Sequence, residues 1–236
     1  MHRQIGIVIP CFNEEKNLEA TVMSIKRALE DSQVTYSIVI VDDYSTDDTF
    51  RVAKKVEGQY VKVKRLERNS GKGAAIKHGI QYLDTDFVSY VDADGDILVD
   101  SILRGYQLLL ANGDLSACLG SKRHPESKVE YPRTRVLLSK IFSFYIRLLF
   151  NLNIKDTQTG VKVFRKSDLD GVIESLFSEG FAFDLELCVK LNARGAKMIE
   201  IPVDIKHSFD STVNIQSAFL AIKDTLRIKL DLLRST

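Results

Sequence analysis

Closely spaced acidic side chains are the residues of this sequence best suited to chemistry. Residues 92–96 (DADGD) follow directly after an apolar stretch at 87–91. Alternate side chains of an extended segment share a face, so Asp92, Asp94 and Asp96 can direct carboxylates at one hard cation. The spacing therefore predicts Mg²⁺ or Mn²⁺ bridging a diphosphate, with a solvated acidic turn as the alternative.

Two other interpretations of these aspartates fit less well. A helix-loop-helix calcium site needs Gly at its sixth position and Glu at its twelfth, where Ile97 and Leu103 stand. The run also resembles the nucleophile motif of haloacid-dehalogenase-type phosphatases. Those enzymes usually carry Thr where Asp96 stands and place the motif on their first strand.

A second acidic cluster occupies residues 42–49 (DDYSTDDT), after the apolar run 38–41. Ser45 or Thr46, together with Asp48, is expected to cap the helix that follows. Helix capping does not account for Asp42 and Asp43, so these two residues are candidates for binding a ligand. A phosphoacceptor pair is the alternative, although such a pair normally follows the first strand of its domain.

Residues 69–75 (NSGKGAA) combine flexible glycines, free backbone N–H groups and the cation of Lys72 at the start of a predicted helix. A phosphate could bind there. The segment is not a Walker A loop, because Gly73 stands where Ser or Thr is needed. It is not a dinucleotide fingerprint either, because Ile76 replaces the third glycine.

Short β-rich runs alternate with helical patterns along the first half of the chain. The predicted strands are 4–11, 36–42, 61–66 and 87–91, and the predicted helices are 14–31, 46–57, 72–83 and 99–111. This alternation predicts an α/β fold with a Rossmann-like, mostly parallel central sheet flanked by helices. Ligands of such sheets bind at the carboxyl ends of the strands, which is where the acidic clusters fall.

Composition narrows the class of protein. The chain has 236 residues, 44% of them hydrophobic, and a formal net charge of +1, which argues against a nucleic-acid partner. Cys11, Cys118 and Cys188 are widely spaced in apolar stretches, so we expect buried thiols rather than disulfides or a zinc site. The apolar run near the N-terminus is too short for a signal peptide or a membrane span.

Two basic, apolar segments indicate a membrane surface. Residues 122–147 hold seven Lys or Arg against two Glu, and 136–152 are nearly all apolar but carry Lys140 and Arg147. A membrane-spanning helix needs roughly 17 to 25 largely uncharged residues, so we predict a helix at about 131–152 that lies in the interface. Residues 213–236 predict a basic amphipathic helix after a domain at 1–212. Helices packed on the sheet are the alternative.

Taken in order, these segments resemble family 2 glycosyltransferases of the GT-A fold. Residues 9–15 (IPCFNEE) and 41–49 are similar to the two nucleotide-binding motifs, and 92–94 to the metal motif. In the second half, three segments resemble the polyprenyl-phosphate branch, the dolichyl-phosphate glucosyl- and mannosyltransferases: 120–123, 156–164 and 180–187.

The resemblance implies inverting transfer of a hexose, glucose or mannose, to a polyprenyl (dolichyl or undecaprenyl) phosphate. The donor would be a nucleotide-diphosphate sugar of the UDP-glucose or GDP-mannose type. Such a protein would be peripheral, on the cytoplasmic side of a membrane. The alternatives are a family 2 transferase that extends a cell-surface glycan and a non-catalytic nucleotide-sugar-binding or membrane scaffold module.

The resemblance also assigns residues, position by position. Those for the nucleotide are Pro10, Phe12, Asn13, Glu14, Asp42, Asp43, Lys72 and Asp92. Those for Mg²⁺ or Mn²⁺ are Asp92, Asp94 and Asp96. Those for the acceptor phosphate are Lys122, Arg123, Arg135 and Ser139. The expected catalytic residues are Asp94 and, if a general base is needed, Asp156 or Asp184, for which a turn and a helix cap are the structural alternatives.

Replacing Asp94 by Ala should abolish sugar transfer, because the carboxylate is assigned to the cation that offsets charge on the leaving diphosphate. Transfer of radiolabelled sugar to a polyprenyl phosphate measures the loss, and an unchanged circular dichroism spectrum shows that the fold is retained. Full activity of the variant would contradict the metal assignment.

Overall fold

The computed structural model describes residues 3–95, 99–128, 145–180, 182–204 and 215–234, with side chains in the last range from 223 onward. Their centre is a seven-stranded sheet with the order β3-β2-β1-β4-β6-β5-β7. The strands are β1 Ile5–Cys11, β2 Tyr36–Asp42, β3 Val61–Arg65, β4 Phe87–Tyr90, β5 Ala117–Ser121, β6 Lys162–Arg165 and β7 Met198–Pro202.

Helices cover both faces of this sheet. They are α1 Leu18–Asp31, α2 Thr49–Lys55, α3 Lys72–Ile80, α4 Asp100–Ala111, α5 Lys166–Ile173, α6 Ala182–Ala193 and α7 Ile215–Arg234. Residues 145–150 are also helical. In these described parts of the chain, no helix is both long and apolar enough to span a membrane.

The strand directions confirm the predicted mostly parallel sheet. Strands β3, β2, β1 and β4 are parallel, as are β5 and β7, whereas β6 is antiparallel to both of its neighbours. The chain passes from β1 to β2 on one side and later returns to β4 on the other. The crevice between the carboxyl ends of β1 and β4 is therefore a topological switch point, where α/β sheets bind ligands.

The central strands are apolar on both faces because helices cover both faces. Every residue of β1 is buried. Val8 packs into the core on the side of α3 and α6, whereas Ile7 and Ile9 pack into the core on the side of α1 and α4. Helix α3 lies close to the sheet at Gly79, where an added Cβ would be 2.5 Å from Cγ1 of Val8.

Two predicted helix starts are wrong. Helix α1 begins at Leu18 rather than at residue 14, and α2 begins at Thr49 rather than at 46. Asp48 stands at the N-cap of α2, as predicted, but its side chain makes no capping hydrogen bond, while Ser45 and Thr46 bind other loop residues. The residues before each helix are thus engaged in contacts between two loops, which a helical pattern does not reveal.

The remaining predictions concern the three cysteines and two helices in the second half of the chain. Cys11, Cys118 and Cys188 are free and buried, as predicted. The predicted interface helix at about 131–152 lies mostly outside the described residues. The C-terminal helix, predicted from residue 213, is described from Ile215.

Candidate active site

The site begins with a buried carboxylate at the end of β2. Asp42 is fully buried, and its Oδ1 accepts hydrogen bonds from the backbone N–H of Ser45 at 3.1 Å and from the Ser45 hydroxyl. Nε of Arg65, its register partner on β3, lies 3.0 Å from Oδ2. This ion pair compensates a carboxylate that would be costly to bury alone. Oδ2 is itself buried and accepts no hydrogen bond from the described residues, so its compensation comes from the ion pair with Arg65.

The loop after β1 is bound to the loop after β2. Asn13 donates its backbone N–H to Oγ of Ser45 at 3.0 Å, and its Oδ1 accepts the N–H of Thr46 at 2.9 Å. The N–H of Glu14 donates to Oγ1 of Thr49 at 2.7 Å. The side chain of Asn13 therefore holds the two loops together, and the sequence motif at 9–15 acts in part as a scaffold.

Each of these two loops exposes an aromatic side chain. Phe12 is 43% exposed and Tyr44 is 48% exposed, with the guanidinium carbon of Arg65 5.2 Å from the centre of the Tyr44 ring. Tyr44 has φ 62°, a left-handed conformation that is unfavourable for a bulky residue. Exposed aromatic rings beside a buried acceptor offer a stacking surface for a flat heterocycle such as a nucleobase.

Asp43 holds the glycine-rich loop. Its Oδ1 accepts the N–H of Ser70 and its Oδ2 accepts the N–H of Gly71, both at 2.7 Å. Gly71 has φ 93°, and an added Cβ would lie 2.7 Å from the carbonyl oxygen of Glu179. Both carboxylate oxygens of Asp43 are thus engaged by the protein, and they fix the backbone at the start of α3.

Lys72 joins this loop to the acidic motif after β4. Its Nζ lies 2.5 Å from Oδ1 of Asp92 and 4.0 Å from Oδ2 of Asp184. Burial by itself lowers the pKa of Lys72, but the carboxylates of Asp184 and Asp92 outweigh it and raise the pKa above its ordinary value. Lys72 therefore keeps its positive charge beside the predicted metal ligand.

Asp184 belongs to a buried polar group. Its Oδ1 accepts hydrogen bonds from the hydroxyl of Tyr90 and from Nζ of Lys162, each at 2.6 Å. Burial would raise the pKa of Asp184, but the charges of Lys162 and Lys72 and these hydrogen bonds lower it. Asp184 lies in the first turn of α6, and its ionised side chain is bound by Tyr90 and Lys162.

Asp156 organises a turn. Its Oδ2 accepts the N–H of Lys122 at 3.0 Å and the hydroxyl of Thr159 at 2.7 Å, and its Oδ1 accepts the N–H of Gln158 at 3.1 Å. These contacts match the turn alternative considered for this residue. They also fix the backbone of Lys122, the first residue after β5, at the carboxyl edge of the sheet.

Two of the three predicted metal ligands are described. Asp92 is partly exposed and Asp94 is exposed, whereas Asp96 lies outside the described residues. Within the described ranges, no three His, Cys, Asp or Glu side chains converge as a metal cluster. Two carboxylates nevertheless fit Mg²⁺ or Mn²⁺, which are commonly held by one or two carboxylates together with phosphate oxygens of a ligand.

Of the residues predicted to bind the acceptor phosphate, two are described by the structure and two are not. Lys122 and Arg123 follow β5 and are half-buried. Arg135 and Ser139 lie outside the described residues, and so does the larger part of the basic segment.

Several residues of the site were not predicted from the sequence, namely Tyr44, Arg65, Tyr90 and Lys162. Lys162 carries a signal, because it is a single charge in a run of apolar residues that would otherwise form an ordinary buried strand. Arg65 has none, since it follows two exposed or half-exposed lysines of similar character on β3. Its importance depends on the register with Asp42.

Comparison with known proteins agrees with this architecture. The chain resembles the crystal structure of glucosyl-3-phosphoglycerate synthase from Mycobacterium tuberculosis in complex with Mn²⁺, uridine-diphosphate and phosphoglyceric acid. The TM-score is 0.72 and the sequence identity 18%, over 96% of this chain and 78% of that one. Sheet order, flanking helices and edge carboxylates together define an α/β domain of the GT-A fold.

Residues 6–172 match the family described as Glycosyl transferase family 2, and the chain belongs to that family. It is 34% identical to the dolichyl-phosphate beta-glucosyltransferase of Homo sapiens over 200 residues, which are 78% of this chain and 62% of the human protein. The corresponding protein of Mus musculus is 32% identical over 85% of this chain and 65% of its own length. The chain thus spans slightly less than two thirds of these relatives.

The role of Asp43 in holding the glycine-rich loop can be tested with Asp43→Ala. Loss of two charge-assisted hydrogen bonds in a buried position should lower the free energy of unfolding by about 2–3 kcal/mol. UDP should bind roughly tenfold more weakly, because the loop at the start of α3 is released. Urea unfolding and calorimetric titration with UDP measure the two effects.

Asp48→Ala is the matched control, since Asp48 lies in the same acidic cluster but is exposed and pairs with Arg51. It should leave both measurements close to those of the unmodified protein. Equal effects of the two substitutions would contradict the role assigned to Asp43.

Proposed function

We propose that this protein transfers a hexose from a nucleotide-diphosphate sugar to a polyprenyl phosphate, with inversion at the anomeric carbon. The observation that carries the proposal is the arrangement at the switch point of the sheet. The loops after β1 and β2, with exposed Phe12 and Tyr44, and the Asp92 motif with Lys72 meet at one edge of a family 2 domain. The names of the relatives, dolichyl-phosphate beta-glucosyltransferases, supply the acceptor class and favour glucose.

The nucleotide is assigned to the loops after β1 and β2. The ring of Phe12 is assigned to stacking on the base, and Oδ2 of Asp42, which accepts no hydrogen bond from the described residues, is assigned to a base N–H. Tyr44 adds a second aromatic surface on the same loop as Asp42. Pro10 and Glu14 complete this side of the site, while Asn13 and Asp43 support it by fixing the loops.

The diphosphate is assigned to the region between Lys72, Asp92 and Asp94. A divalent cation held by the two carboxylates would offset the negative charge that develops on the departing nucleoside diphosphate. Lys72 offers a second positive charge at the same place. Lys72 and Asp92 are half-buried, which strengthens their interactions relative to bulk water, whereas Asp94 is exposed.

The acceptor phosphate is assigned to the cations that follow β5. Asp156 fixes the backbone of Lys122, so that Lys122 and Arg123 stand at the same edge of the sheet as Asp92. We retain Arg135 and Ser139 as further phosphate ligands from the sequence resemblance. Charge-assisted hydrogen bonds from such residues orient a phosphate oxygen toward the sugar.

A general base is not required by this chemistry. A phosphate monoester is already anionic at neutral pH, with a second pKa of about 6. Asp156 is occupied by a turn and Asp184 by Tyr90 and Lys162. We therefore assign both aspartates to positioning rather than to proton abstraction.

We also propose that the lipid acceptor is met at a membrane surface formed in part by α7. Ile228 is buried and Asp231 pairs with Lys190 of α6 at 2.8 Å, so one face of α7 packs on the domain. The other face exposes leucines at helical spacing, with cations near them. The exposed leucines are Leu226, Leu230 and Leu233, together with Leu148 in the neighbouring helical segment. The nearby exposed cations are Arg147, Lys223, Arg227 and Arg234.

This surface suits an interface with anionic lipid, in which leucines enter the headgroup region and cations attract phosphate. The cytoplasmic side of the membrane remains a prediction from the resemblance. The names of the relatives favour a lipid phosphate acceptor over a growing glycan.

The proposed reaction predicts a lipid-soluble product. Purified protein is incubated with Mn²⁺, a short polyprenyl phosphate and either radiolabelled UDP-glucose or radiolabelled GDP-mannose, followed by extraction into organic solvent. Label should enter the organic phase from UDP-glucose in preference to GDP-mannose, and only when the lipid phosphate is present. Donor hydrolysis without lipid labelling would contradict the proposal.

The proposed membrane surface predicts loss of vesicle binding in Leu230→Ser. Removing one leucine from an inserted apolar face should weaken cosedimentation with anionic phospholipid vesicles roughly tenfold. Met23→Ser is the matched control, because Met23 is similarly exposed but lies on α1. Equal loss for both variants, or none for Leu230→Ser, would count against this surface.

A further inference from the structure

Lys72 and a divalent cation would compete for the same carboxylate. Nζ of Lys72 lies 2.5 Å from Oδ1 of Asp92, which is a close charge-assisted contact. The two side chains are 21% and 31% exposed, so solvent only partly screens them. A divalent cation that approaches Asp92 without a nucleotide would therefore be repelled by the ammonium group of Lys72, which is already in contact with that carboxylate.

The backbone of Lys72 is fixed while its side chain has two acidic partners in reach. The N–H of Gly71 is held by Asp43, and the N–H of Gly73 donates to the carbonyl of Glu179 at 2.7 Å. From this fixed start of α3, Nζ lies 4.0 Å from Oδ2 of Asp184. A change of side-chain rotamer is enough to move the ammonium group from one carboxylate toward the other.

Asp184 is built to remain a charged neighbour for Lys72. Tyr90 and Lys162 both donate to its Oδ1, while its Oδ2 faces Lys72. Lys162 is fully buried and also donates to the carbonyl of Thr159 at 2.6 Å, which holds it in position. The group thus presents a fixed negative charge beside the ammonium group of Lys72.

We infer that Lys72 is an internal counter-ion that occupies Asp92 in the unliganded protein. When a nucleoside diphosphate binds together with a divalent cation, the ammonium group moves from Asp92 to the diphosphate and Asp184. The inference rests on the proposed nucleotide and metal site. It adds the order in which the diphosphate and the cation bind there. The cation binds weakly until the diphosphate provides Lys72 with a new anionic partner.

This arrangement makes the binding of cation and nucleotide cooperative. Charge repulsion at a few ångströms opposes a second cation at Asp92 while Lys72 remains there. The diphosphate relieves that repulsion by attracting Lys72, and thermodynamic linkage requires the cation to strengthen nucleotide binding by the same factor. Lys72 is accordingly a positioning residue for the metal site.

The test measures Mn²⁺ binding without any acceptor or sugar. Free Mn²⁺ is followed by electron paramagnetic resonance, with and without saturating UDP, in the unmodified protein and in Lys72→Met. UDP should tighten Mn²⁺ binding by about tenfold or more in the unmodified protein. In Lys72→Met, Mn²⁺ alone should bind about tenfold tighter, and the enhancement by UDP should fall to roughly twofold or less.

Lys77→Met is the matched control, because Lys77 lies on the same helix but donates to the carbonyl of Leu176 at 2.6 Å. It removes the same charge without altering a partner of Asp92, and should behave as the unmodified protein. Lys72→Arg should retain most of the coupling, because it keeps the positive charge. Thermal midpoints of all variants verify folding.

The inference is overturned if Lys72→Met binds Mn²⁺ alone no more tightly than the unmodified protein, if its coupling to UDP persists, or if Lys77→Met changes both values equally. A failure of sugar transfer leaves this result readable, because neither donor sugar nor lipid is used. Uncoupled binding in an active protein would reject the counter-ion role and leave the proposed transfer standing.

Discussion

A carboxylate removed from water needs a cation or N–H donors, and this requirement organises the carboxyl edge of the sheet. Asp42 is compensated by Arg65, Asp43 by the N–H groups of Ser70 and Gly71, and Asp184 by Lys162 and Tyr90. Each compensation joins two segments that are distant in sequence. The loops that form the candidate site are therefore held in place by the same contacts that allow their acids to be buried.

This requirement separates the acids into two groups. The carboxylate oxygens of Asp43, Asp156 and Asp184 accept hydrogen bonds from protein donors. These contacts help to fix the loops at the carboxyl edge of the sheet. Asp92 and Asp94 remain at least partly exposed and are assigned to a ligand. Acids that looked alike in the sequence thus differ in their partners and in their exposure.

Much of the fold could be predicted because local patterns dominate it. The apolar runs that became β1 to β4 and the alternating helices specify a parallel sheet with ligand loops at one edge, and family motifs mark those loops. Strand β6 was harder to predict, since it is four residues long, contains two charged residues and runs antiparallel. Its direction depends on pairing across the sheet and not on its own composition.

The partners within the site were the least predictable part. Arg65 is opposite Asp42 only because β2 and β3 take one register, and the early helix starts predicted at 14 and 46 failed because the loops bind each other. Asp156 and Asp184 could each be placed in the site by motif, but the sequence left open whether they act or support. The structure adds their partners: a turn and the N–H of Lys122 for Asp156, and Tyr90 and Lys162 for Asp184.

The left-handed backbone of Tyr44 affects which residues are favourable at this position. Glycine would adopt its left-handed backbone at no steric cost, whereas an ordinary residue there loses on the order of 1–2 kcal/mol of folding free energy. Retaining the aromatic ring at this turn therefore lowers the stability of the folded protein relative to glycine. Selection for heat tolerance and selection for an aromatic ring beside Asp42 would favour different residues at position 44.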